Sequence, residues 1–221
     1  MKLFLNGPNI KKEKTSKQDK DACLAICVLR ALIHYGIEET KENFYKICEC
    51  KGDGNLALPW GVCKGAAKYG KYISHVSKHP SKLIDYGELM EKGSLSKPEA
   101  IDFVKGLINY CLHSKLSNYI ELVKWQDSDE DFIFDILKNQ YGLFIPTLRW
   151  DEKEKENHSV IVTGIDDNQN IYFYNPNNGE EEHFSYDDFI KKWLNSYTDN
   201  DFFIVSDKPI NVKERRKLRK S

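Results

Sequence analysis

The segment Ala22-Cys-Leu-Ala-Ile-Cys-Val-Leu-Arg-Ala-Leu-Ile-His-Tyr35 decides the fold of this chain. It is apolar nearly all round, which predicts a helix buried on every side rather than an amphipathic surface helix. Asp21 is a natural N-cap for this helix, and Gly36 is a natural C′ residue. We therefore expect the first element of the fold to be a buried helix that begins near Cys23.

Helical signals dominate the first part of the chain and strand signals the last part. Helices are predicted at Lys41–Cys48, Gly61–Tyr69, Ser96 to about Cys111, Asp129–Gln140 and Ser185–Leu194. Strands are predicted at Tyr72–Val76, Gly142–Arg149, Ser159–Ile165, Ile171–Tyr174 and Phe202–Ser206. The order predicts an α+β fold with an antiparallel sheet in its second part.

Composition and charge narrow the class of protein. The chain has 221 residues, of which 40% are apolar and 30% charged, as in an ordinary folded globule. We predict one domain over residues 1–209, with a helical insertion near 77–128, and a basic tail over 210–221 that extends into solvent. With a formal net charge of −1, the chain has no overall positive potential that would attract nucleic acid, so we expect no nucleic-acid partner.

The N-terminal residues lack the apolar stretch of about 7–15 residues that a signal peptide needs, and no segment is long enough to span a membrane. We therefore expect a cytoplasmic protein without a membrane partner, with most of its six cysteines reduced and buried. Cys48, Cys50 and Cys63 do not have the spacing of the usual zinc sites, so we predict neither a metal nor a cofactor.

Cys23 is the first candidate for chemistry. In the first turn of the predicted helix, unpaired backbone N–H groups and the helix dipole favour a thiolate, which is a nucleophile. The alternative is a small apolar side chain on a buried helix, and position alone does not separate the two. Cys27 lies one turn deeper, away from the helix terminus, and is predicted to be structural.

A nucleophilic thiol needs a base, and the sequence offers six histidines. His34 lies about 16 Å from Cys23 along the axis of the same helix, which excludes it. His158 directly precedes the most hydrophobic strand, a rigid position of the kind that a general base requires. The other four are predicted to be surface or half-buried residues: His75, His79, His113 and His183.

Two polar residues are candidates to complete a site around His158. Asn175 ends the next strand of the predicted hairpin, where its amide oxygen can accept an imidazole N–H and fix the ring tautomer, or where it simply starts a turn with Pro176. Gln18, a short distance before Cys23, can donate to an oxyanion together with the Cys23 backbone N–H. The set predicts Cys-His-Asn chemistry at a carbonyl group.

This ordered set resembles the C39 and C39-like peptidases, a bacterial and archaeal branch of the papain-like superfamily. The family's Gln, Cys, apolar helix and Tyr-Gly pattern is similar to Gln18, Cys23 and Tyr35-Gly36 in this chain. Its later pattern of His, β-branched residues, Gly, hairpin and Asp-Pro is similar to His158-Ser-Val-Ile-Val-Thr-Gly164 followed by Asn175-Pro176. The match spans both halves of the chain.

The resemblance implies a papain-like fold, with a helical lobe carrying Cys23 and an antiparallel sheet lobe carrying His158. It implies a peptidase that hydrolyses peptide or isopeptide bonds of a peptide or protein substrate. Two positions depart from the family: Leu24 stands where it usually has Gly, which narrows the space beside the nucleophile, and Asn175 stands where it usually has Asp.

Two other functions remain open for the same residues. An acyltransferase or transglutaminase-like enzyme would use the same nucleophile and base and transfer the acyl group to an amine. A catalytically weak peptide-binding module of the same fold would keep the cleft, with Leu24 crowding the site.

Overall fold

The computed structural model describes residues 22–51, 56–80, 87–91, 93–126, 142–151, 156–196 and 201–218. The helices in these ranges are α1 (Cys23–His34), α2 (Lys41–Ile47), α3 (Pro59–Lys68), α4 (Gly87–Glu91), α5 (Lys97–His113), α6 (Tyr186–Leu194) and α7 (Val212–Leu218). The strands are β1 (Tyr72–Ser77), β2 (Ile120–Lys124), β3 (Leu143–Asp151), β4 (Glu156–Ser159), β5 (Ile161–Ile165), β6 (Asn170–Asn175), β7 (Glu180–Ser185) and β8 (Phe202–Ser206). The predicted helix at Asp129–Gln140 lies outside the described residues.

The strands form two sheets. The larger has the order β2-β1-β8-β3-β4, in which β1 and β2 are parallel and the other neighbours antiparallel. The smaller is the antiparallel meander β5-β6-β7. The α+β class predicted from the order of the elements is confirmed, although the larger sheet is mixed rather than wholly antiparallel.

The five-stranded sheet is covered on both faces, as its central strand β8 makes clear. Phe203 and Val205 point to a core formed mainly by α1, α2, α3 and α5. Phe202 and Ile204 point to a second core formed with the three-stranded sheet and α6. Alternate residues of a strand face opposite sides, so a strand buried on both sides is apolar throughout, as Phe202–Ser206 is up to its last residue.

Helix α1 is buried as predicted, but it starts differently. Its N-cap is Ala22, which makes no side-chain cap hydrogen bond, so the prediction that Asp21 caps the helix is wrong. Cys23 is therefore the first residue of α1. At the other end, Gly36 has a positive φ of 80°, which favours glycine and confirms it as the residue that ends the helix.

The run Ser159–Ile165, predicted to be one strand, is divided between the two sheets. Ser159 ends β4, which pairs with β3, whereas Ile161 begins β5, which pairs with β6. Val160 between them is fully buried, and its N–H donates to the carbonyl oxygen of Pro146 at 3.2 Å. His158 thus lies inside an edge strand of the larger sheet, rather than directly before a strand of the hairpin.

The stretch near 77–128 is more than a helical insertion. It contains α5, which begins with a capping box formed by Ser96 and Glu99. It also contains β2, which pairs in parallel with β1 and forms an edge of the larger sheet. The stretch is therefore an integral part of that sheet.

The basic tail starts as a docked helix rather than a solvated segment. Ile210 and Val212 are buried in the core beside α6. The carboxylate of Glu121 on β2 accepts the backbone N–H groups of Val212 and Lys213 at 3.0 and 3.2 Å, which satisfies the N-terminus of α7. None of the described helices is long and apolar enough to cross a membrane.

Candidate active site

Three elements from different parts of the chain converge on one site. Cys23 begins α1, which packs against β3 and β4. His158 lies on β4, where it is paired with Leu148 of β3. Asn175 ends β6 of the other sheet, and its side chain reaches His158. The site therefore lies where the start of α1 meets the edge strand β4 of the larger sheet and the end of the central strand β6 of the smaller sheet.

Cys23 is partly exposed, and its thiol contacts the last residue of β4. The backbone N–H of Ser159 donates to its Sγ atom at 3.4 Å. The carbonyl of the same residue accepts the thiol hydrogen of Cys27 at 3.3 Å. Cys27 is fully buried, so these two contacts tie α1 to the residue that follows His158. The prediction that Cys27 is structural agrees with this contact.

The environment of Cys23 favours its thiolate. Burial raises the pKa of the thiol. A hydrogen bond to His158, the positive charge of that imidazole and the Ser159 N–H lower the pKa by more than burial raises it, so the pKa falls below its ordinary value of 9.0. Cys23 also lies at the N-terminus of a helix, where the dipole stabilises negative charge. Both effects increase the fraction of nucleophilic thiolate at neutral pH.

His158 is 3% exposed, and its side chain interacts with both Asn175 and Cys23. Nε2 lies 2.8 Å from Oδ1 of Asn175, which leaves Nδ1 to interact with Cys23. Burial lowers the pKa of the imidazole, but the hydrogen bond and charge of Cys23, the Asn175 oxygen and the Glu182 charge raise it further, so that the pKa lies above 6.5. The thiolate and the imidazolium therefore stabilise each other.

Asn175 holds the imidazole in a network of its own. Its Oδ1 atom also accepts the backbone N–H of Asn177 at 3.0 Å. Its Nδ2 atom donates to Oε1 of Glu182 on β7 at 2.8 Å, and the same oxygen accepts from Asn178 at 2.7 Å. Asn175 is 3% exposed, so every polar atom of its amide is used inside the protein.

Trp150 of β3 packs against the ring of His158. Its ring meets the His158 ring edge to face, with centroids 4.8 Å apart and planes at 64°. Phe173 and Phe184 support the indole from the second sheet. An apolar ring over His158 excludes water from its surroundings and so strengthens the hydrogen bond to Asn175.

Three further residues singled out from the sequence are Gln18, Leu24 and His75. Gln18, the predicted oxyanion donor, lies outside the described residues. Leu24 is buried in the helical core, and the expectation that it narrows the space beside the nucleophile stays a prediction. His75 is 2% exposed, stacks on Phe203 and lies 3.4 Å from Asp201, so the prediction of a surface or half-buried residue is wrong.

The other cysteines are also free thiols. Cys50 is the most relevant, because it is partly exposed and a hydrogen bond from Cys48 lowers its pKa. No histidine contributes to the lowered pKa of Cys50. Within the described ranges, no three or more His, Cys, Asp or Glu side chains are arranged to hold a metal ion.

Three residues of the site were not found from the sequence. Ser159 acts through its backbone N–H, and Trp150 lies just past the predicted end of its strand. Glu182 had a usable signal, because the tight turn after Asn175 places it one diagonal step across the hairpin, on the same face as the amide. A search for charged diagonal partners of Asn175 would have identified it.

The arrangement is suited to nucleophilic attack on a carbonyl carbon. It supplies a thiol with a lowered pKa, a base on its hydrogen-bonding side and an amide that fixes the tautomer of that base. Comparison with known proteins adds no assignment: no family model matches the sequence, and no curated protein matches it.

Proposed function

We propose that the protein is a papain-like cysteine peptidase that hydrolyses peptide or isopeptide bonds. The observation that carries this proposal is the Nε2–Oδ1 hydrogen bond of 2.8 Å between His158 and Asn175, with Cys23 on the remaining side of the same imidazole. Cys23 and His158 lie 135 positions apart in sequence, and His158 and Asn175 lie 17 positions apart. The fold itself does not require these three side chains to meet. A nucleophile, a base and an orienting amide give the meeting a chemical reason.

The proposed reaction has two halves. The Cys23 thiolate attacks the peptide carbonyl carbon, and the His158 imidazolium then donates its Nδ1 proton to the leaving amine. A thioester to Cys23 remains. His158 next takes a proton from water as that water attacks the thioester, and the acid leaves as the Cys23 thiolate and the imidazolium form again.

The oxyanion of each tetrahedral intermediate needs donors near Cys23. The backbone N–H of Cys23 lies in the first turn of α1, among the groups that have no partner within the helix. We assign it as one donor, and Gln18 as the second, on the strength of the C39-like pattern. Preorganised donors of this kind contribute about 2.7–4 kcal/mol each to the stabilisation of a transition state.

The papain-like and C39-like assignment rests on the same order of motifs. A buried helix begins at the nucleophile, and the base and its orienting amide come from strands later in the chain. Six unpaired thiols are typical of a reducing compartment, so we propose a cytoplasmic location. A peptide or protein is the proposed partner in solution, as substrate.

A mixture of fluorogenic and unlabelled peptides tests the proposal. The wild type should release free acid products, and Cys23→Ala and His158→Ala should abolish release while retaining the circular dichroism of the wild type. Cys50→Ala is the matched control, since it removes another partly exposed thiol with a lowered pKa and should leave turnover unchanged.

Two arms of this experiment separate the other functions. With an amine acceptor present, amide product in place of acid would identify an acyltransferase. Peptide binding of equal strength in the wild type and Cys23→Ala, without any product, would identify a binding module. Either result overturns the proposal of a peptidase.

A further inference from the structure

The carboxylate of Glu182 lies behind the triad and contacts Asn175. Its Oε1 atom accepts hydrogen bonds from Nδ2 of Asn175 at 2.8 Å and from Nδ2 of Asn178 at 2.7 Å. Glu182 belongs to β7, the strand beside the one that Asn175 ends. The carboxylate is therefore held in place by hydrogen bonds, and the Asn175 amide lies between it and the imidazole of His158.

The partners of Asn175 determine which way its amide faces. The two ends of an amide have nearly the same shape, but one only accepts and the other only donates. The N–H of Asn177 requires the oxygen at one end, and the Glu182 carboxylate requires the nitrogen at the other. Both requirements are met by the same orientation, in which Oδ1 faces His158.

This orientation decides where the imidazole carries its proton. Because Oδ1 only accepts, Nε2 of His158 must be the N–H donor. In the neutral imidazole, Nδ1 then carries the lone pair on the side of Cys23, and it can take the thiol proton to form the imidazolium. A reversed amide would present Nδ2–H to Nε2 and favour the opposite tautomer, whose Nδ1–H cannot accept that proton.

We propose that Glu182 is a positioning residue of the reaction, whose carboxylate holds the Asn175 amide so that His158 stays in its Nε2–H tautomer. This rests on the proposed function only in that Cys23 gives its proton to His158. Transfer of that proton produces a thiolate and an imidazolium, and Nε2–H continues to donate to Asn175. The carboxylate then stands opposite the new positive charge, across the amide.

Two substitutions at Glu182 separate orientation from charge. Glu182→Ala removes the acceptor that holds Nδ2 and leaves the Asn177 N–H and the His158 ring as partners of the amide oxygen. We expect kcat/KM to fall by about tenfold, the effect of one hydrogen bond. Glu182→Gln keeps an acceptor oxygen and should stay within about threefold of the wild type. Equal losses in the two variants would overturn the proposal.

The Asn175→Asp variant is the background in which an orienting Glu182 and a merely structural Glu182 give different results. Both carboxylate oxygens accept, so Asn175→Asp needs no orienting partner. Glu182→Ala should therefore cause no further loss of kcat/KM in Asn175→Asp, and the removal of a neighbouring like charge favours a gain. A merely structural Glu182 that supports the turn through Asn178 would lower kcat/KM equally in both backgrounds, which would overturn the proposal.

Nuclear magnetic resonance of the His158 ring reads the tautomer directly. In the Cys23→Ala background the imidazole is free of the thiolate, and its ring nitrogen and carbon shifts should report the Nε2–H form. Glu182→Ala should shift them toward the Nδ1–H form, and Glu182→Gln should not. Unchanged shifts in Glu182→Ala would overturn the proposal.

The tautomer measurement needs no substrate, so it is independent of turnover. If peptides are not hydrolysed but the tautomer shifts as described, the peptidase proposal fails and the positioning role stands. Glu181→Ala is the matched control: it removes a carboxylate on the same strand that accepts from Thr163 at 3.2 Å. The control should leave both the tautomer and kcat/KM unchanged.

Discussion

Substitution of Asn175 by alanine tests the part of the site that is most completely defined. The side chain accepts from His158 at 2.8 Å, and both residues are 3% exposed. Loss of a hydrogen bond to a charged group costs about 1.5–3 kcal/mol. At about 1.4 kcal/mol per tenfold, kcat/KM for peptide hydrolysis should fall by roughly 10- to 150-fold.

The burial of the pair favours the upper half of that range, because Trp150 covers the ring and hinders water from replacing the lost acceptor. Steady-state kinetics with a cleaved peptide is the assay, together with thermal unfolding to show that the variant folds. Asn177→Ala is the control, since Asn177 contacts Asn175 through its backbone N–H. A folded Asn175→Ala variant within twofold of the wild type would refute the reasoning.

Three further predictions concern the thiol of Cys23, the buried Cys27 and Trp150. The alkylation rate of Cys23 should rise with pH and reach half of its maximum below pH 9.0, because the pKa of the thiol is lowered, whereas His158→Ala should move the rise to higher pH; superimposable profiles would count against the pair. Cys27→Ala should lower the free energy of unfolding by about 1 kcal/mol, because the bond to Ser159 is lost, and urea denaturation that matches the wild type would contradict this. Trp150→Leu should lower kcat/KM roughly 2- to 10-fold, from the 0.5–1.5 kcal/mol of an aromatic pair, and unchanged kinetics would exclude a shielding role.

The sequence was informative where local physics decides the structure. Gly36 ends α1 because it adopts a positive φ, and Ser185 caps α6 with its side chain. The hairpin of β5 and β6 follows from two β-rich runs around a polar turn. These features depend on neighbours in the chain, so a single sequence contains them.

The sequence was uninformative where tertiary contacts decide. Val160, Ile161 and Val162 form an unbroken apolar run within Ser159–Ile165, and the residues on both sides of Val160 are buried, so nothing local marks the change of sheet. The parallel pairing of β2 with β1 joins segments that are separated in sequence by α4 and α5. The tail was misjudged for the same reason, since Glu121, far away in sequence, satisfies the start of α7.

For the candidate site, residue type and order led to Cys23, His158 and Asn175, which the structure brings together, but they did not predict how the three meet. His158 was expected beside Asn175 in one hairpin, whereas it reaches Asn175 from the edge of the other sheet. Glu182 escaped notice because its signal is a diagonal position across the hairpin from Asn175 and not a motif of neighbouring residues. Its importance follows from one diagonal contact.

The central claim is that Cys23 is an activated nucleophile, and competitive alkylation tests it most directly. The folded protein is treated with less than one equivalent of iodoacetamide at about pH 6, where an ordinary thiol is almost wholly protonated, and the modified cysteine is mapped by mass spectrometry. Cys50, the other partly exposed thiol with a lowered pKa, is the internal competitor. The geometry predicts that Cys23 is modified first and that His158→Ala removes this preference. Modification of Cys50 with Cys23 left intact would contradict the claim.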